Sequence, residues 1–284
     1  MAIKFIIDSA SDIVPAEAER LGLIHLPMVV RFGDKEYLDA VTLSHSEFYE
    51  KLIESDELPT TSQISPATYD DAITEALHTC DTVIIITVSS KLSGTYQSAV
   101  IAAQEHDGKV FVVDSESVCI GERLLILRAL EMQSQGLSAE QIVEQLNEDK
   151  KHIRVMALVD TLEYLKKGGR ISAATAFAGG LLSIKPVIAI ENGEVAVIGK
   201  ARGSKNANNL LRELVTKCGG INFDKPYALA YSGISDTLLQ KYIEDSKEIW
   251  EHGTSSLPIT TVGCSIGTHA GPGAVAVAFF ETGN

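Results

Sequence analysis

The chain has 284 residues, of which 45% are hydrophobic and 22% charged, and its 38 acidic against 24 basic side chains give a net charge of −14. This composition is typical of a soluble globular protein, and the length favours two α/β domains over a single core. The negative charge argues against nucleic acid and against anionic membranes as partners, because both attract a clustered positive field.

The cysteines and the amino terminus indicate an intracellular protein. Cys80, Cys119, Cys218 and Cys264 are scattered without the spacing of a zinc site or of a disulfide framework. The first residues, MAIKFIIDSASD, reach Asp8 too early for the apolar core of a signal peptide, and no apolar stretch is long enough to cross a membrane. We therefore expect a soluble protein of the reducing cytoplasm without stable membrane insertion.

The first half of the chain alternates strands and helices. A buried strand at 3–8, a short helix at 15–22 and a second strand at 23–30 form a β-α-β pattern. The elements expected next are a hairpin at 32–39, a helix capped by Ser44 or Ser46, a helix from Pro66 to Cys80, a strand from 83, a helix at 94–106, a strand at 109–115 and helices at 117–135 and 138–150. Parallel strands joined by helical crossovers fit this order best.

The pattern changes near residue 152, where we place the boundary between domains of residues 1–152 and 153–284. Two apolar runs in PVIAIENGEVAVIGKAR flank an Asn-Gly pair, which is a strong signal of a β-hairpin. The other elements expected in this half are strands at 153–160, 227–232, 258–263 and 273–280 and helices at 161–169, 204–218 and 235–251. The sequence thus predicts an α/β protein with a mostly parallel first sheet, flanked by helices, and a mixed second sheet.

Four polar or glycine-rich loops stand out, and three of them adjoin expected buried strands. They are DSASD at 8–12, LPTTSQIS at 58–65, SSKLSGTYQS at 89–98 and GTHAGPG at 267–273. In an open parallel sheet, ligands gather beyond the carboxyl ends of the strands, where such loops lie. Hydroxyls around Ser93 and the free N–H groups of a helix start suit a phosphate, a carboxylate or another oxyanion, although a plain helix cap explains the same serine.

Three other features of the sequence each allow two interpretations. Asp8 and Asp12 form either a metal or acid–base pair, or a turn and a helix cap, and no Glu/His/Asp cluster at ligand spacing supports a metal. His269 is either an accessible hydrogen-bonding group or a surface residue. Basic residues in KKGGRIS and KARGSKNA indicate an anionic partner or a solvated face. They are Lys166, Lys167, Arg170, Lys200, Arg202 and Lys205.

Together the loops resemble the DegV family, whose members include the fatty-acid-binding subunits of bacterial fatty acid kinase. The matching motifs run through essentially the whole chain in the order DSASD, TTSQIS, SGTYQSA, VVDS, KKGGRIS, KPVI, ARGSK and THAGPGA. Each motif alone is weak, whereas eight in this order are highly specific. Two positions depart from the family pattern: Ile64 replaces a common proline and can alter the path of its loop, and Ala270 replaces a small hydroxyl residue.

The resemblance implies a lipid-binding carrier without a catalytic centre or a cofactor of its own. It would hold one long-chain fatty acid between its two domains and present it to a separate ATP-dependent kinase subunit, which makes the acyl phosphate. Thr61 and Ser93 would hydrogen-bond the carboxylate with His269 close by, and Ser62 and Gly94 belong to the same ligand site. Arg170 and Arg202 would engage the kinase subunit.

Simple energetics agree with a carrier. Hydroxyls and N–H groups stabilise a carboxylate by roughly 1.5–3 kcal/mol per charged hydrogen bond, which orients it without an arginine clamp. A sixteen-carbon tail gains ~0.8 kcal/mol per buried CH₂, roughly 12 kcal/mol in all, so the tail dominates the affinity. The apolar stretches 28–30 and 173–184 are candidate tunnel walls, although ordinary core is the simpler explanation for any single residue in them.

Two other function classes stay open. A Ser/His acyl hydrolase or acyltransferase would use Ser93 and His269, with Asp8 or Asp114 orienting the histidine, but the sequence has no GxSxG elbow. A phosphotransfer protein would rest on analogy with dihydroxyacetone kinase and sugar-phosphotransfer domains, and would need a phosphorylated histidine such as His25. Nucleotide enzymes of the usual kinds are not expected, because GxGxxG, GxxxxGK[ST] and HExxH are also missing.

Overall fold

The computed structural model describes residues 2–106, 108–172 and 184–283, which form three β-sheets with helices packed on them. Of the suggested tunnel wall at 173–184, all but the last residue lies outside the described residues. In chain order the strands are β1 (Ile3–Asp8), β2 (Ile24–Leu26), β3 (Val29–Phe32), β4 (Lys35–Leu38), β5 (Thr60–Ser62), β6 (Thr82–Thr87), β7 (Val110–Asp114), β8 (Ile153–Leu158), β9 (Ile184–Glu191), β10 (Glu194–Arg202), β11 (Tyr227–Tyr231), β12 (Ile259–Thr261) and β13 (Val275–Phe280).

The helices connect and cover these strands. The α-helices of the described residues are α1 (Pro15–Arg20), α2 (His45–Glu54), α3 (Pro66–Leu77), α4 (Thr95–Ala103), α5 (Ile120–Ser134), α6 (Ala139–Asp149), α7 (Glu163–Lys167), α8 (Ser204–Lys217), α9 (Thr237–Asp245) and α10 (Cys264–Ala270). Short 3₁₀ segments occur at Ser9–Ser11, Lys150–His152 and Lys247–Ile249. Within the described ranges, every helix is too short or too polar to pass through a bilayer.

The sheets differ in strand direction. The first is parallel, in the order β2-β1-β6-β7, with the apolar runs IKFIID and TVIIIT at its centre. The largest has six strands in the order β10-β9-β8-β13-β11-β12 and is antiparallel except for the β11–β12 pair. A small antiparallel sheet, β4-β3-β5, adjoins them. A mixed α/β fold with a parallel and a mixed sheet confirms the predicted fold class.

Helix α5 packs on both large sheets and gives them a common core. Its Leu124 belongs to one buried cluster with Ile86 of β6 and Ala278 of β13. Helices α3 and α4 cover the opposite face of the parallel sheet. The mixed sheet begins with Ile153 of β8, where the sequence places its domain boundary. Because the core is shared, that division stays a prediction.

The second expected strand and a late expected helix differ from the sequence-based expectation. The stretch 23–30, expected as one strand, forms β2 in the parallel sheet and β3 in the small sheet. Pro27 lies between them and has no N–H for a continuous ladder. The helix expected at 235–251 is also shorter, because α9 ends at Asp245 and a separate 3₁₀ turn follows.

Candidate functional site

A cavity of about 420 Å³ lies where the carboxyl end of the parallel sheet meets the mixed sheet. One side is lined by Ala10 and Val88, which follow β1 and β6, and by Val118, which precedes α5. Aliphatic residues of the mixed sheet form the other wall, namely Val155, Ala157, Ile188, Ile190, Val195 and Ala276. The volume is typical of a small-molecule site, and the position beyond the strand ends is where ligands of such sheets bind.

The cavity gathers the residues that the sequence assigns to the ligand. All five line it: Thr61, Ser62, Ser93, Gly94 and His269. Arg170, assigned to a partner, lines it as well, whereas Arg202 is exposed at the end of β10 and is not among the lining residues. From the suggested wall at 28–30, Met28 reaches the cavity.

Contacts join the polar residues at one end of the cavity. Thr61 Oγ1 lies 3.0 Å from His269 Nε2. The His269 ring packs on Gly168, whose carbonyl accepts a hydrogen bond from Arg170 Nη1 at 2.7 Å. Arg170 Nε donates to the carbonyl of Leu92 at 3.0 Å, next to Ser93 in the chain. We call this group the polar rim: Thr61, Ser62, Gln63, Ser93, Gly94, Arg170 and His269. Because Ser62, Gln63 and Gly94 are exposed, the rim lies at the surface.

Gln63 belongs to the polar rim although the sequence analysis did not single it out. Its side-chain amide donates to Ser98 Oγ of α4 at 2.9 Å, which lays it across Gly94. A Cβ on Gly94 would lie 1.9 Å from Gln63 Oε1, so a larger residue at position 94 would displace the end of the Gln63 side chain. The only signal in the sequence was its place in the TTSQIS loop, directly after two hydroxyl residues.

Ser93 serves the start of α4. Its Oγ accepts the N–H of Thr95 at 3.3 Å and lies 2.9 Å from Thr95 Oγ1. Ser93 therefore accepts the first N–H of α4, but the N-cap position itself belongs to Gly94, which makes no side-chain cap bond. Ser93 is also half-buried and lines the cavity, so its hydroxyl stands between the helix start and the site.

His269 lies in a helix, so the expectation that GTHAGPG forms a loop was wrong for the first half of that stretch. Helix α10 contains His269 and ends at Ala270, and the next residue, Gly271, has a φ of +71°. Glycine is a poor helix former, which hid the helix in the sequence. Packing overrides that preference, because a Cβ on Gly267 would lie 2.6 Å from the hydroxyl of Tyr49, and glycine lets α10 approach α2 closely.

The imidazole of His269 is neutral at pH 7. Burial, and secondarily the positive charge of Arg170, lower its pKa to about 4. Nε2 faces Thr61, while Nδ1 lies against Gly168 and has no hydrogen-bond partner among the described residues. A neutral ring can give or take one hydrogen bond at the polar rim but adds no charge. Arg170 supplies the positive charge of the rim; burial lowers its pKa, but a guanidinium stays protonated.

The two aspartates of DSASD accept hydrogen bonds that stabilise their own turn and neighbouring loops. Asp8 accepts the N–H groups of Ala10 and Val88 at 2.9 and 2.8 Å, and Asp12 accepts a hydrogen bond from the Cys119 thiol at 2.6 Å. Both side chains are buried, and burial raises the pKa of each to about 7. Neither lines the cavity. The turn-and-cap interpretation therefore fits them, rather than an acid–base pair at the site.

Asp39 is a third buried aspartate, which the sequence analysis missed because it only ends the expected hairpin. Its carboxylate accepts the N–H groups of Cys264 and Ser265 at 3.0 and 2.9 Å. Donor atoms of Asp39, His45 and Cys264 lie within 4.8 Å of one another, a spacing that could hold a metal. Both Asp39 oxygens already accept hydrogen bonds, and burial raises the pKa of the Cys264 thiol far above its usual range. A helix cap fits these groups better than a metal site does.

Comparison with known sequences finds the same family as the order of the loop motifs. The model of the DegV family, described as a family of uncharacterised proteins, matches residues 2–282. A DegV domain-containing protein of Caldanaerobacter subterraneus is 38% identical over 285 residues, and the alignment covers 98% of each chain. The similarity therefore extends over essentially the whole chain.

Solved structures show the same fold. A fatty-acid-binding DegV family protein from Thermus thermophilus has a TM-score of 0.89 and 32% identity, covering 99% of this chain and 100% of its own. A stearic acid-binding protein from Eubacterium ventriosum has a TM-score of 0.86 and 25% identity, covering 98% of both chains. These matches confirm the resemblance seen in the motifs: the chain belongs to the DegV family.

Proposed function

We propose that the protein binds one long-chain fatty acid, with the tail in the apolar cavity and the carboxylate at the polar rim. The observation that carries this proposal is the division of one cavity into an aliphatic wall and a surface end lined by hydroxyls, an amide, an imidazole and a guanidinium. That division matches an amphipathic ligand with a single polar end. The solved relatives that bind fatty acids support the same ligand class.

The two ends of the cavity play different energetic roles. Each CH₂ that leaves water for the aliphatic wall contributes about 0.8 kcal/mol, so affinity grows with the length of the tail. The hydroxyls of Thr61 and Ser93 and the neutral ring of His269 can donate to a carboxylate, and Arg170 favours its charged form. The polar rim therefore selects an acid over an alcohol or ester of the same length.

The contacts of Ser93 and His269 favour a carrier over an acyl hydrolase or acyltransferase. In the described hydrogen bonds, Ser93 pairs with Thr95 and His269 Nε2 with Thr61, so nucleophile and base are not linked. A triad also needs a carboxylate on the second imidazole nitrogen. Asp8 binds the N–H groups of its own turn and of Val88, and the described hydrogen bonds do not join it to His269.

The remaining candidate groups support the same choice. Asp114 accepts the N–H groups of Ser90 and Glu116, and the described hydrogen bonds do not join it to His269. His25, the candidate for phosphotransfer, lies on β2 with Nε2 buried, and burial lowers its pKa. A buried imidazole nitrogen is poorly placed to receive a phosphoryl group from a donor protein.

The surface position of the polar rim suits transfer of the acid to another protein. We propose that the carrier presents the carboxylate to a separate ATP-dependent kinase subunit, which forms the acyl phosphate. Ser62 and Gly94 are exposed at the rim, and Arg202 is exposed on β10, so both regions are accessible to a partner. Such a carrier works in the cytoplasm and needs no catalytic centre of its own.

Extraction of the purified protein tests the proposal. We expect denaturation in organic solvent, followed by mass spectrometry, to yield about one long-chain acyl group per chain. Palmitic or oleic acid added to delipidated protein should raise Tm, because a ligand that binds only the native state must stabilise it. Hexadecanol should raise Tm less. A folded protein that releases no acid and shows no shift with added acid would refute the carrier.

A further inference from the structure

Helix α10, which carries His269, begins with N–H groups that donate to carboxylates from the first part of the chain. The N–H of Gly263 donates to Asp12 Oδ1 at 2.8 Å. The next two, of Cys264 and Ser265, donate to Asp39 Oδ1 and Oδ2 at 3.0 and 2.9 Å. The first N–H groups of a helix have no acceptor within it, and negative charge stabilises this end. The two aspartates therefore complete the first turn of α10.

Asp39 is itself fixed from its other side. The side chain is fully buried, and its Oδ2 also accepts a hydrogen bond from Ser9 Oγ at 3.1 Å. Ser9 follows β1 directly, and its Oγ in turn accepts the N–H of Met28 at 3.0 Å. The start of α10 is thus anchored to the carboxyl end of the parallel sheet, more than 200 residues away in the sequence.

Helix α10 is so short that a shift of its first turn also shifts His269. It is seven residues long, and the rise from Cys264 to His269 is roughly 7.5 Å. At its far end, a Cβ on Gly271 would lie 2.3 Å from the ring of Tyr164, so glycine allows a tight fit there. A displacement at the first turn is therefore passed to His269, whose Nε2 lies only 3.0 Å from Thr61 Oγ1.

We infer that Asp39 is a positioning residue of the carboxylate site: by holding the first turn of α10 it sets the place of His269 against Thr61. This inference rests on the proposed binding of a fatty acid at the polar rim. It assigns Asp39 no contact with the ligand. Its effect should therefore appear in the recognition of the head group rather than in the burial of the tail.

The substitution Asp39→Asn tests this role with little change in volume. The asparagine NH₂ would face one of the two N–H groups of the first turn, so one hydrogen bond to α10 is lost. The readout is the ratio of the affinities for palmitic acid and hexadecanol, measured on delipidated protein. We expect Asp39→Asn to lower the acid-to-alcohol ratio by about ten-fold, because the displaced His269 would lose its charged hydrogen bond to the carboxylate. The NMR signals of the His269 ring should shift in the same variant.

Asp8→Asn is the matched control. Asp8 is equally buried and also holds two backbone N–H groups, but these belong to Ala10 and Val88 and not to α10. We expect Asp8→Asn to lower Tm while leaving the acid-to-alcohol ratio and the His269 signals near those of the wild type. An equal fall of the ratio in both variants would show general destabilisation and overturn the inference.

A second variant covers the case in which Asp39→Asn does not fold. Gly263 has a φ of −69°, so alanine fits its backbone, but the added Cβ would lie only 3.0 Å from Asp12 Oδ1 and 3.2 Å from His45 Nε2, while Asp39 Oδ1 would be in ordinary contact at 3.5 Å. Gly263→Ala should move α10 by a few tenths of an ångström and lower the ratio about two- to five-fold. In a His269→Ala background the same change should leave the ratio unaltered.

The possible failures are distinct. If the wild type prefers the acid, but folded Asp39→Asn or Gly263→Ala keeps the full ratio and the His269 signals, the positioning role is wrong and the proposed function stands. If the wild type itself binds acid and alcohol equally, the carboxylate site is wrong. A fall of the ratio that persists in the His269→Ala background would also contradict the inference, because Asp39 would then act on another group.

Discussion

Thr61 Oγ1 and His269 Nε2 lie 3.0 Å apart at the polar rim, and this pair joins residues separated by 208 positions in the sequence. Thr61 is placed by β5, where it pairs with Val30 of β3, and His269 is placed by α10. Both side chains line the cavity. Their contact holds a hydroxyl and an imidazole together where the proposed ligand carries its charge.

Replacement of Thr61 by valine should weaken acid binding by about ten- to a hundred-fold, because a similar volume remains but a hydrogen bond to the carboxylate is lost. Thr61→Ser retains the hydroxyl and is the matched control, with an expected change of a few-fold at most. Titration of both variants with palmitic acid measures the difference. Equal affinities for Thr61→Val and the wild type would remove Thr61 from the head-group site.

Ser93→Ala separates the carrier from the acyl hydrolase or acyltransferase. As a carboxylate ligand, Ser93 contributes a charged hydrogen bond, so its loss should lower the affinity about ten- to a hundred-fold. The same change should lower the free energy of unfolding by about 1 kcal/mol, because the N–H of Thr95 at the start of α4 loses its hydrogen bond to the Ser93 hydroxyl. Affinity and intact mass are measured side by side. Unchanged affinity, together with an acyl adduct on the wild type, would identify Ser93 as a nucleophile instead.

The parallel sheet was predictable because its central strands are continuous apolar runs, IKFIID and TVIIIT, bounded by turn residues. Asn192 and Gly193 both have positive φ, 52° and 82°, as their Asn-Gly pair predicted for the β9–β10 hairpin. Thr61, Ser93 and His269 were selected through the order of family motifs, whereas the local sequence alone also fitted Ser93 to a helix cap and His269 to a surface position.

The missed features depend on contacts between distant parts of the chain. Asp39 holds Ser265 from 226 positions away, and nothing in the sequence near either residue indicates that bond. The helix of His269 was missed because Gly267 lowers its intrinsic propensity and Gly271 follows its end, while these two glycines allow close packing against Tyr49 and Tyr164. Sequence patterns indicate only local conformational preferences, whereas the Asp39–Ser265 bond and the helix of His269 depend on tertiary packing.

The two arginines assigned to the kinase subunit occupy different places in the structure. Arg202 is exposed and does not line the cavity, so we expect Arg202→Glu to leave palmitic acid affinity unchanged and to slow acyl phosphate formation with the kinase subunit. Arg170→Glu should impair both palmitic acid binding and acyl phosphate formation, because the guanidinium lines the cavity and donates hydrogen bonds to the carbonyls of Leu92 and Gly168. Affinity and acyl phosphate yield are measured at low and high salt. Loss of acid binding in Arg202→Glu would place that residue at the ligand.

The histidine at the rim predicts a specific dependence of stability on pH. The folded protein holds the pKa of His269 at about 4, below its usual value of 6.5, because burial and then Arg170 disfavour the charged ring. The unfolded chain therefore binds more protons than the folded chain between these two values. By linkage, the contribution of His269 to the free energy of unfolding is fully present above pH 6.5 and is lost as the pH falls towards 4.

Chemical denaturation of the delipidated protein at several pH values between 4 and 7.5 measures this contribution. In His269→Gln the residue no longer titrates, so the fall in stability from pH 6.5 to pH 4.5 should be smaller than in the wild type. His78→Gln removes an exposed imidazole and controls for the loss of a histidine as such. If His269→Gln and the wild type lose the same stability over this range, the ring is not held neutral by its surroundings. NMR titration of the ring then gives its pKa directly, and a value near 6.5 would remove the basis of this prediction.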